Sequence, residues 1–582
     1  MPSRGANPAV RSRRQSAPVR VLRFVGALLA LGVGAFCALL LAVRFLIFPQ
    51  VESYRNDVAD ALSRALRAPV EIGTMSADWD GWNPKLLLGS VRVRNAMNPD
   101  TAPLVEVPEA GLVVSWLSLP MLDLHFKSVE IERPRLAIRR DRAGMLHLAG
   151  MEFDPASASK ESPFVDWVLR QPHIAIHDGV LVWDDDLRNA PQLVLNHVYV
   201  RLESRFGRHR FGVRGTPPVE LASPFDVRGD IRGLRSGVSA VAGKLYARVE
   251  YADVAAWAEW LPLPVPVDSG KGAMRVWLDL QAGLPTQVVA DLELADVLAT
   301  LRDDLPPLRL NRLSGRVGWK DTPPSREFYV RSLAFVEARG AVLNPADVTV
   351  TLREARPGVV GTGLVEFDRL DLAPLRELAA QLPLPERLRD GLAAYAPQGT
   401  LSHGRVLWQG PPEETTAYSA AADFSGAGIT ARNGGPGISG VSGRIELTQA
   451  GGKVTLSSLK AALDLPKVFT APITFDTLDG SANWSRNGSV TTLQIDQLAF
   501  TNRDAAGHVA GQYRSTATGP GDIDLKAVLT RADVSRVHQY MPRVIDEEVR
   551  DWLRNALVRG SATDARMELV GNLAEFPFRD GR

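Results

Sequence analysis

The residues that could perform chemistry are few, and their spacing does not match a catalytic motif. Gly270-Lys271-Gly272 lacks both the upstream glycine and the following Ser or Thr of a phosphate-binding loop. The run GPGISGVSG at residues 435–443 misses the spacing of a G-x-S-x-G nucleophile motif and is typical of a turn. The pattern H-E-x-x-H does not occur. We therefore predict no catalytic residue, no cofactor and no enzymatic activity.

Charged and histidine clusters also give little support for a binding site. His173 and His177 are four apart on a predicted strand, so they share a face but lie about 13 Å apart along it, too far for one metal ion. The acidic run at 184–186 could bind a cation, but after Trp183 it is more typical of a strand end. The run Arg139-Arg140-Asp141-Arg142 could meet lipid phosphates, although such runs are more often solvated loops. We predict no metal site.

Composition excludes one further class of partner and indicates a compartment. The chain has 582 residues and a net charge of +1, so it offers no basic face for nucleic acid. The single cysteine, Cys37, lies within an apolar segment, so the rest of the chain has none. Exported eukaryotic domains usually carry disulfides, and their absence favours a bacterial periplasmic protein.

One segment determines where the rest of the chain lies. From Phe24 to Val43, 20 residues carry no charge, which is long enough for a helix to cross a hydrocarbon core of about 30 Å. Arginines precede it and no acidic residue occurs before Glu52, which places a basic tail, residues 1–23, in the cytoplasm and the bulk of the chain across the membrane. The flank AVRFLIFPQ lacks a small-x-small cleavage site, so we predict an uncleaved transmembrane helix over 24–48. Its predicted anchor residues are Phe24, Leu28, Leu31, Phe36, Leu40 and Val43.

The chain after the anchor changes from a helical to a strand period. Residues 51–67 have apolar side chains every three or four positions, which predicts an amphipathic helix, either a cap on the first strands or a lid near the membrane. We favour the cap. From Pro69 onward apolar and polar residues alternate, as in Val91-Arg92-Val93-Arg94, which predicts strands with one solvated face. Asp178-Gly179, between two alternating runs, predicts a hairpin turn.

An internal repeat links the helical interruptions. Helices are predicted at about 372–395, split near 382–385, at about 534–557, and briefly at 254–261. A shift of 161 residues gives seven identities in 25 positions, including Gly399 on Gly560, and each copy follows an Asp that can cap a helix. Arg389-Asp390 and Arg550-Asp551 recur in it, but adjacent helical residues do not face each other, so solvent exposure or packing explains them better than acid–base chemistry.

These patterns predict a mainly β protein. We expect an elongated, twisted antiparallel β-sheet or groove, built from repeats with a few short helices and preceded by one N-terminal transmembrane helix. The predicted regions are a tail (1–23), the transmembrane helix (24–48), an N-terminal β-region with its capping helix (49–153) and a repetitive β-groove region (163–582).

An ordered set of motifs at 79–150 resembles a known family. The segment WDGWNPKLLLGSVRVRN is followed by Val114-Ser115, Leu119, and then Val129, Ile131, Pro134, Leu136, Ile138, Arg140-Asp141 and Gly144. This order resembles the N-terminal pattern of AsmA-like proteins, and with HIAIHDGVLVWDD and the repeat it is most similar to the YhdP branch. Members of that branch are more than twice as long, so the chain is expected to correspond to an N-terminal part.

The resemblance implies an inner-membrane-anchored, bridge-like lipid transfer protein that extends through the periplasm toward the outer membrane. Phospholipid tails would slide along a hydrophobic β-groove while head groups stay in water. Its partners would be phospholipids, the inner membrane and outer-membrane or periplasmic components at the far end. The candidate groove residues are Val91, Val93, Val129, Ile131, Leu136, Ile138, Ile174, Ile176, Val198, Val200, Val317, Val406, Leu493 and Ile495.

Two other functions remain open from the sequence. A membrane-anchored structural or assembly factor of the cell envelope would have an apolar face covered by its own protein core, and it would bind no lipid. A periplasmic enzyme would need convergent polar residues in a pocket, which the sequence does not offer. The choice of strand face also depends on register, because a shift of one residue exchanges the two faces.

Overall fold

The computed structural model describes residues 17–66, 68–94, 103–116, 118, 125–148, 151–153, 163–234, 240–263, 265–411, 417–430, 435–516 and 519–575. Most of the predicted tail, residues 154–162 and the last residues, 576–582, lie outside the described residues. The predicted fold class is confirmed: 60% of residues are in strands of one long sheet, helices are few, and one apolar helix stands at the N-terminus. The chain forms two compact units, unit 1 (Met1–Gly215) and unit 2 (Thr216–Arg582).

Unit 1 begins with helices and continues with strands. Helix α1 (Ala17–Ala42) runs through a π-helical segment (Val43–Ile47) and a 3-10 segment (Phe48–Tyr54) into α2 (Arg55–Leu66), and α3 (Pro163–Arg170) follows later. The strands are β1 (Val70–Asp80), β2 (Asn83–Val93), β3 (Val105–Val114), β4 (Phe126–Glu132), β5 (Arg135–Arg140), β6 (Leu146–Leu148), β7 (Met151–Phe153), β8 (His173–Asp185), β9 (Ala190–Arg205) and β10 (Arg208–Thr216).

Two helices cover the apolar face of the unit 1 sheet. Val58 and Leu62 of α2 pack against a buried cluster that includes Val70 and Ile72 of β1. The spacing of these helical residues places them on one side of α2, so burial of that side holds the helix on the first strands. Val168 of α3 packs on a second buried cluster, formed by β4 and β8.

Strand β8 joins the sheet in a way that the sequence did not predict. Asp178 and Gly179 lie inside β8, so the predicted hairpin turn is wrong. Asp178 is left-handed at φ 54°, and the register shifts between Ile176 and Gly179. At this bulge β8 changes partner, from parallel pairing with β4 to parallel pairing with β5. Pro134 separates β4 from β5, and its ring lies 3.2 Å from where a Cβ on Gly179 would be, so the glycine lets β8 pass the break.

Unit 2 is an antiparallel meander with short helices between some strands. Its helices are α4 (Val254–Trp257), α5 (Leu372–Leu378), α6 (Glu386–Tyr395) and α7 (Glu547–Ala556), with 3-10 segments at Val534–Tyr540 and Leu573–Glu575. Its strands are β11 (Phe225–Arg232), β12 (Ala242–Asp253), β13 (Val267–Gln281), β14 (Leu284–Ala299), β15 (Leu308–Thr322), β16 (Ser325–Glu337), β17 (Val342–Arg353), β18 (Thr362–Asp371), β19 (Gln398–Gln409), β20 (Ala417–Ile429), β21 (Gly437–Thr448), β22 (Gly451–Asp464), β23 (Ile473–Asn487), β24 (Val490–Thr501), β25 (Ala505–Arg514), β26 (Asp522–Asp533), β27 (Ser561–Ala562) and β28 (Ala565–Asn572). From β11 to β26 each strand pairs with the next, and β26 then pairs with β27 and β28.

The helices of unit 2 follow the internal repeat. Helices α6 and α7 begin at Glu386 and Glu547, which are equivalent under the shift of 161 residues. The carboxylates of Asp253 and Asp533 accept hydrogen bonds from the backbone N–H groups of the following helical turn, at 3.1 and 3.0 Å. Asp371 occupies the corresponding position, but its carboxylate makes no capping bond to the helix.

Asp371 instead ties neighbouring strands together. Its carboxylate accepts hydrogen bonds from Asn344 Nδ2 and Thr400 Oγ1, each at 2.8 Å. Burial raises the pKa of Asp371, but hydrogen bonds from Asn344, Thr400 and Arg369 outweigh it, so the pKa lies below its usual range. The carboxylate is therefore ionised and links β18 to β17 and β19.

Candidate functional site

An uncharged row of side chains crosses the sheet of unit 2. Directly paired residues in neighbouring strands point to the same face, so the register defines the row. It takes one residue from each strand β11 to β26 and one from β28: Gly229, Leu245, Leu278, Val288, Trp319, Phe328, Val350, Val365, Val406, Ala420, Leu447, Gly452, Trp484, Leu493, Tyr513, Ile523 and Gly571. We call this set the first row, and it contains no charged side chain.

A second uncharged line of residues lies beside the first row, two positions along each strand. From β11 to β19 it consists of Val227, Ala247, Val276, Ala290, Val317, Val330, Val348, Phe367 and Gly404. After a bulge in β19 it continues from β20 as Ala422, Ile445, Val454, Ala482, Ile495, Gly511, Leu525 and Leu569. Together these residues form the second row. The two rows give unit 2 a continuous apolar face.

The opposite face of the same strands is charged. Arg316 directly precedes Val317 of the second row in β15, and its Nε donates to Asp291 at 2.6 Å. That hydrogen bond holds the pKa of Asp291 below its usual range and outweighs the effect of burial. Lys244 pairs with Asp279 at 3.3 Å on the same face. The two-residue period therefore separates ion pairs on one face from uncharged side chains on the other.

Aromatic rings lie flat on the apolar face where they meet glycines. A Cβ on Gly404 would fall 1.8 Å from the ring of Phe367, the residue paired with it. A Cβ on Gly452 would fall 2.4 Å from the ring of Trp484, which is its partner in the first row. Because the ring occupies the space that a Cβ would need, it lies across the strand rather than standing up from it. The glycines thus allow the rings to lie flat, so that side chains project less from this part of the sheet.

Most side chains of the two rows are only half-buried. Phe328 in the first row is 45% exposed, and Val317, Val406, Leu493 and Ile495 are half-buried. The protein covers the sheet of unit 2 more fully in at least two places. Leu378 of α5 packs against Leu313 and Phe335, and a second buried cluster contains Val441, Ala461 and Leu478. Among the described residues, the apolar face is thus covered locally and open along much of its length.

In unit 1 the apolar face is paired in the same way but more fully covered. One set of paired residues runs Ala77, Leu86, Leu112, Val129, Ile174 and Leu202, and a second runs Met75, Leu88, Ala110, Ile131, Ile176 and Val200. The register thus brings five of the sequence-predicted groove residues together, namely Val129, Ile131, Ile174, Ile176 and Val200. The other candidates of unit 1 lie outside these two sets: Val91 and Val93 in β2, Leu136 and Ile138 in β5, and Val198 in β9.

Burial divides these unit 1 residues into two groups. Val93, Val129, Ile174 and Val198 are buried, the first three within clusters of the protein's own side chains. Val91, Ile131, Leu136, Ile138, Ile176 and Val200 are half-buried. Val93, Val129 and Ile174 contact protein, so they cannot contact a ligand without movement of α2 or α3.

The anchor residues also differ along their helix. Phe24, Leu28 and Leu31 are exposed, Leu40 is half-buried, and Val43 is only 7% exposed. Helix α1 is long and apolar enough to cross a membrane. Near its end, Phe36 contacts Trp116 at a ring-centroid distance of 5.5 Å. The tryptophans of this region are not among the predicted anchor residues, although two of them flank Asp80-Gly81 in the segment WDGW.

Comparisons with known proteins identify the family of this chain. A family model described as YhdP protein matches residues 14–582. The chain belongs to the YhdP family. An Escherichia coli (strain K12) relative, named intermembrane phospholipid transporter YhdP, is 21% identical over 591 residues, covering 96% of this chain and 44% of the relative. The chain therefore spans less than half the length of that relative. No solved structure matches the chain.

The charge clusters of this YhdP-family chain are paired with one another. Asp185, at the end of β8, is buried and accepts from Arg140 Nε at 2.8 Å, and Arg139 Nε donates to Asp186 at the same distance. Burial raises the pKa of Asp185, but its bonds from Arg140 and from the backbone of Arg188 lower it further, so the pKa lies below its usual range. The prediction that the acidic run ends a strand is confirmed, and these two arginines already hold carboxylates.

The described residues contain no group of three or more His, Cys, Asp or Glu side chains that could hold a metal ion. His173 and His177 lie in β8, where His177 pairs with Glu132 of the neighbouring strand. Among the described residues of this YhdP-family chain, the feature that recurs from strand to strand is the uncharged face rather than a polar cluster.

Proposed function

We propose that this chain carries phospholipid, with acyl chains lying along the first and second rows of unit 2 and head groups remaining in water. The observation that carries the proposal is the first row, in which no charged residue occurs from β11 to β28. The name of the Escherichia coli relative supports the same ligand class. Half-buried apolar side chains gain roughly 25 cal/mol for each Å² removed from water, so an acyl chain on this face stabilises both partners.

Helix α1 is the membrane anchor of the proposed carrier. Helix α1 spans the bacterial inner membrane, with the arginine-rich tail in the cytoplasm and the strands of both units in the periplasm. Phospholipid then moves along the uncharged face away from the inner membrane and toward the outer membrane. The ion pairs on the opposite face keep that side in water.

One observation favours a second candidate function for part of the chain. In unit 1 the apolar face is largely covered by α2 and α3, as expected for a structural or assembly factor with a self-packed core. The two candidate functions therefore differ most clearly in what the half-buried residues of unit 2 contact, which is lipid for a carrier and protein for an assembly factor.

Site-specific photocrosslinking in intact cells tests the proposal. The crosslinker replaces Val317 or Val406 on the apolar face, and Arg316 or Arg405, the adjacent residues on the opposite face, serve as matched controls. Attached lipid is identified by mass spectrometry. We expect phospholipid adducts at the two valines and not at the arginines. Protein adducts alone, or equal lipid labelling on both faces of a folded and inserted chain, would instead support the assembly factor.

A further inference from the structure

At the end of the unit 1 sheet where β1 turns into β2, a series of aromatic rings connects the sheet to α1. Phe48, just after α1, lies 5.1 Å from Trp79 of β1, measured between ring centroids. Trp79 lies 6.5 Å from Trp116, which follows β3, and Trp116 lies 5.5 Å from Phe36 within α1. The rings therefore run beside the last turns of the helix. We refer to Trp79, Trp82 and Trp116 as the tryptophan edge.

The length of the apolar run fixes where Phe36 must lie. The uncharged run Phe24–Val43 spans about 30 Å as a helix, which is as long as the hydrocarbon core is thick. Phe36 precedes Arg44 by eight residues, or about 12 Å. If Phe36 lay outside the hydrocarbon core, only the 12 residues from Phe24 to Ala35 would remain, and about 18 Å of helix cannot span the core.

From this we infer that the tryptophan edge is inserted into the membrane leaflet on the sheet's side, so that lipid surrounds the beginning of the sheet as well as α1. Trp116 contacts Phe36 directly, at 5.5 Å between ring centroids, so its ring lies below the level of Arg44 and within the leaflet. The inference rests on α1 spanning a membrane and does not require lipid transport.

The chemistry of the edge suits the boundary between head groups and acyl chains. The ring of Trp82, at the β1–β2 turn, is 72% exposed, although it is large and apolar. The indole N–H of Trp116 donates to the backbone oxygen of Trp82 at 2.8 Å, so it needs no water partner. Tryptophan is enriched at this depth because its ring is apolar and its N–H is polar.

Charges near the turn limit how deep the edge goes. Asp78 and Asp80 alternate with Trp79 in β1, so they lie on the opposite face of the strand from its ring. A carboxylate at the bilayer centre is costly, but at the head-group level it stays hydrated. The tryptophan edge is therefore expected to sit in the outer part of the leaflet, with its rings toward α1 and the acyl chains.

Single-cysteine labelling measures the insertion directly. A Cys37→Ser background removes the one native cysteine, and Trp82→Cys places a nitrobenzoxadiazole label at the edge. The matched control is Leu187→Cys, which is 49% exposed in the turn between β8 and β9, at the opposite end of the unit 1 sheet. The full chain is reconstituted in phosphatidylethanolamine–phosphatidylglycerol vesicles with a fraction of lipid carrying a nitroxide on the acyl chain.

The expected result is a clear difference between the two labels. The label at 82 should be quenched at least twofold more by acyl-chain nitroxide than the label at 187, and it should be protected from aqueous iodide. Equal iodide quenching at both positions would overturn the inference.

A second variant covers the case in which Trp82→Cys fails to insert. Trp82→Phe keeps an aromatic ring, and tryptophan emission is measured in vesicles with brominated acyl chains. Insertion predicts that the fraction of emission quenched by bromine is smaller in the variant than in the native chain. An unchanged fraction would place Trp82 in water and overturn the inference.

Discussion

Replacing Ile495 with aspartate is expected to empty the apolar face of unit 2 of phospholipid. Ile495 is half-buried in the second row, paired directly with Ala482 and Gly511. The neighbours are small and offer no partner for a carboxylate, so an ionised aspartate would face the acyl chains. A charged side chain at a bilayer centre costs about 3 kcal/mol on the insertion scale. At about 1.4 kcal/mol per factor of ten, lipid occupancy near this position should fall roughly 100-fold.

The cost to folding should be much smaller. A fully buried isoleucine contributes about 2–3 kcal/mol, so the half-buried Ile495 contributes about half of that. The change is local, because β24, the strand of Ile495, is paired with both β23 and β25. We therefore expect a chain that is still folded but has lost lipid, and the circular dichroism spectrum should stay unchanged.

Two control variants separate charge from position. Gln494→Asp adds the same charge at the adjacent residue, which lies on the opposite face between Asn483 and Gln512. Ile495→Asn changes the shape in nearly the same way without adding charge. Phospholipid that copurifies with each chain is counted by mass spectrometry. Equal losses from the two aspartate variants, or full lipid content in folded Ile495→Asp, would refute the reasoning that one uncharged face holds the lipid.

Three further predictions concern single side chains. Asp253→Ala should lower unfolding stability by about 1 kcal/mol in urea, because a helix cap is lost, whereas Asp253→Asn should lose little. Asp185→Ala should cost roughly 3 kcal/mol because Arg140 loses its partner, and an unchanged urea midpoint would contradict the pairing. Since the folded pKa of Asp185 is depressed, its contribution is present above the unfolded carboxyl pKa of about 3.9 and is lost as pH falls through the folded value, so the native midpoint should fall in acid more steeply than that of Asp185→Asn. Gly404→Val should force the ring of Phe367 up from the apolar face and reduce copurified lipid, and unchanged lipid content would show that the ring already stands clear.

The apolar face of unit 2 could be predicted from the sequence because it depends on one local rule. Side chains two residues apart in a strand share a face, so the alternation around Val317, Val406 and Leu493 already places each on an apolar side. Which residues lie beside them on the neighbouring strands depends on the strand register. The alternation of apolar and polar residues does not specify that register. Trp319 and Trp484 therefore became part of the first row only when the strand pairing was known.

The features that the sequence did not predict depend on contacts distant along the chain. Asp178-Gly179 has the composition of a hairpin turn, but β8 continues through it because two separate strands, β4 and β5, are available as partners. Val93 and Val129 have the same local pattern as exposed strand valines. They are buried because α2 and α3 pack over them, and no strand pattern indicates where a later helix will lie.

The strand order of unit 2 also sets how its size can change. Each strand from β12 to β26 pairs with the strands before and after it in sequence, so removing or adding one complete hairpin would leave every other pairing intact. Two strands add about 10 Å to the sheet, since neighbouring strands lie about 4.8 Å apart. The apolar face can therefore be lengthened or shortened in steps of one hairpin while its uncharged character is kept. A protein of this construction can be matched to the distance between two membranes by the number of hairpins that it encodes.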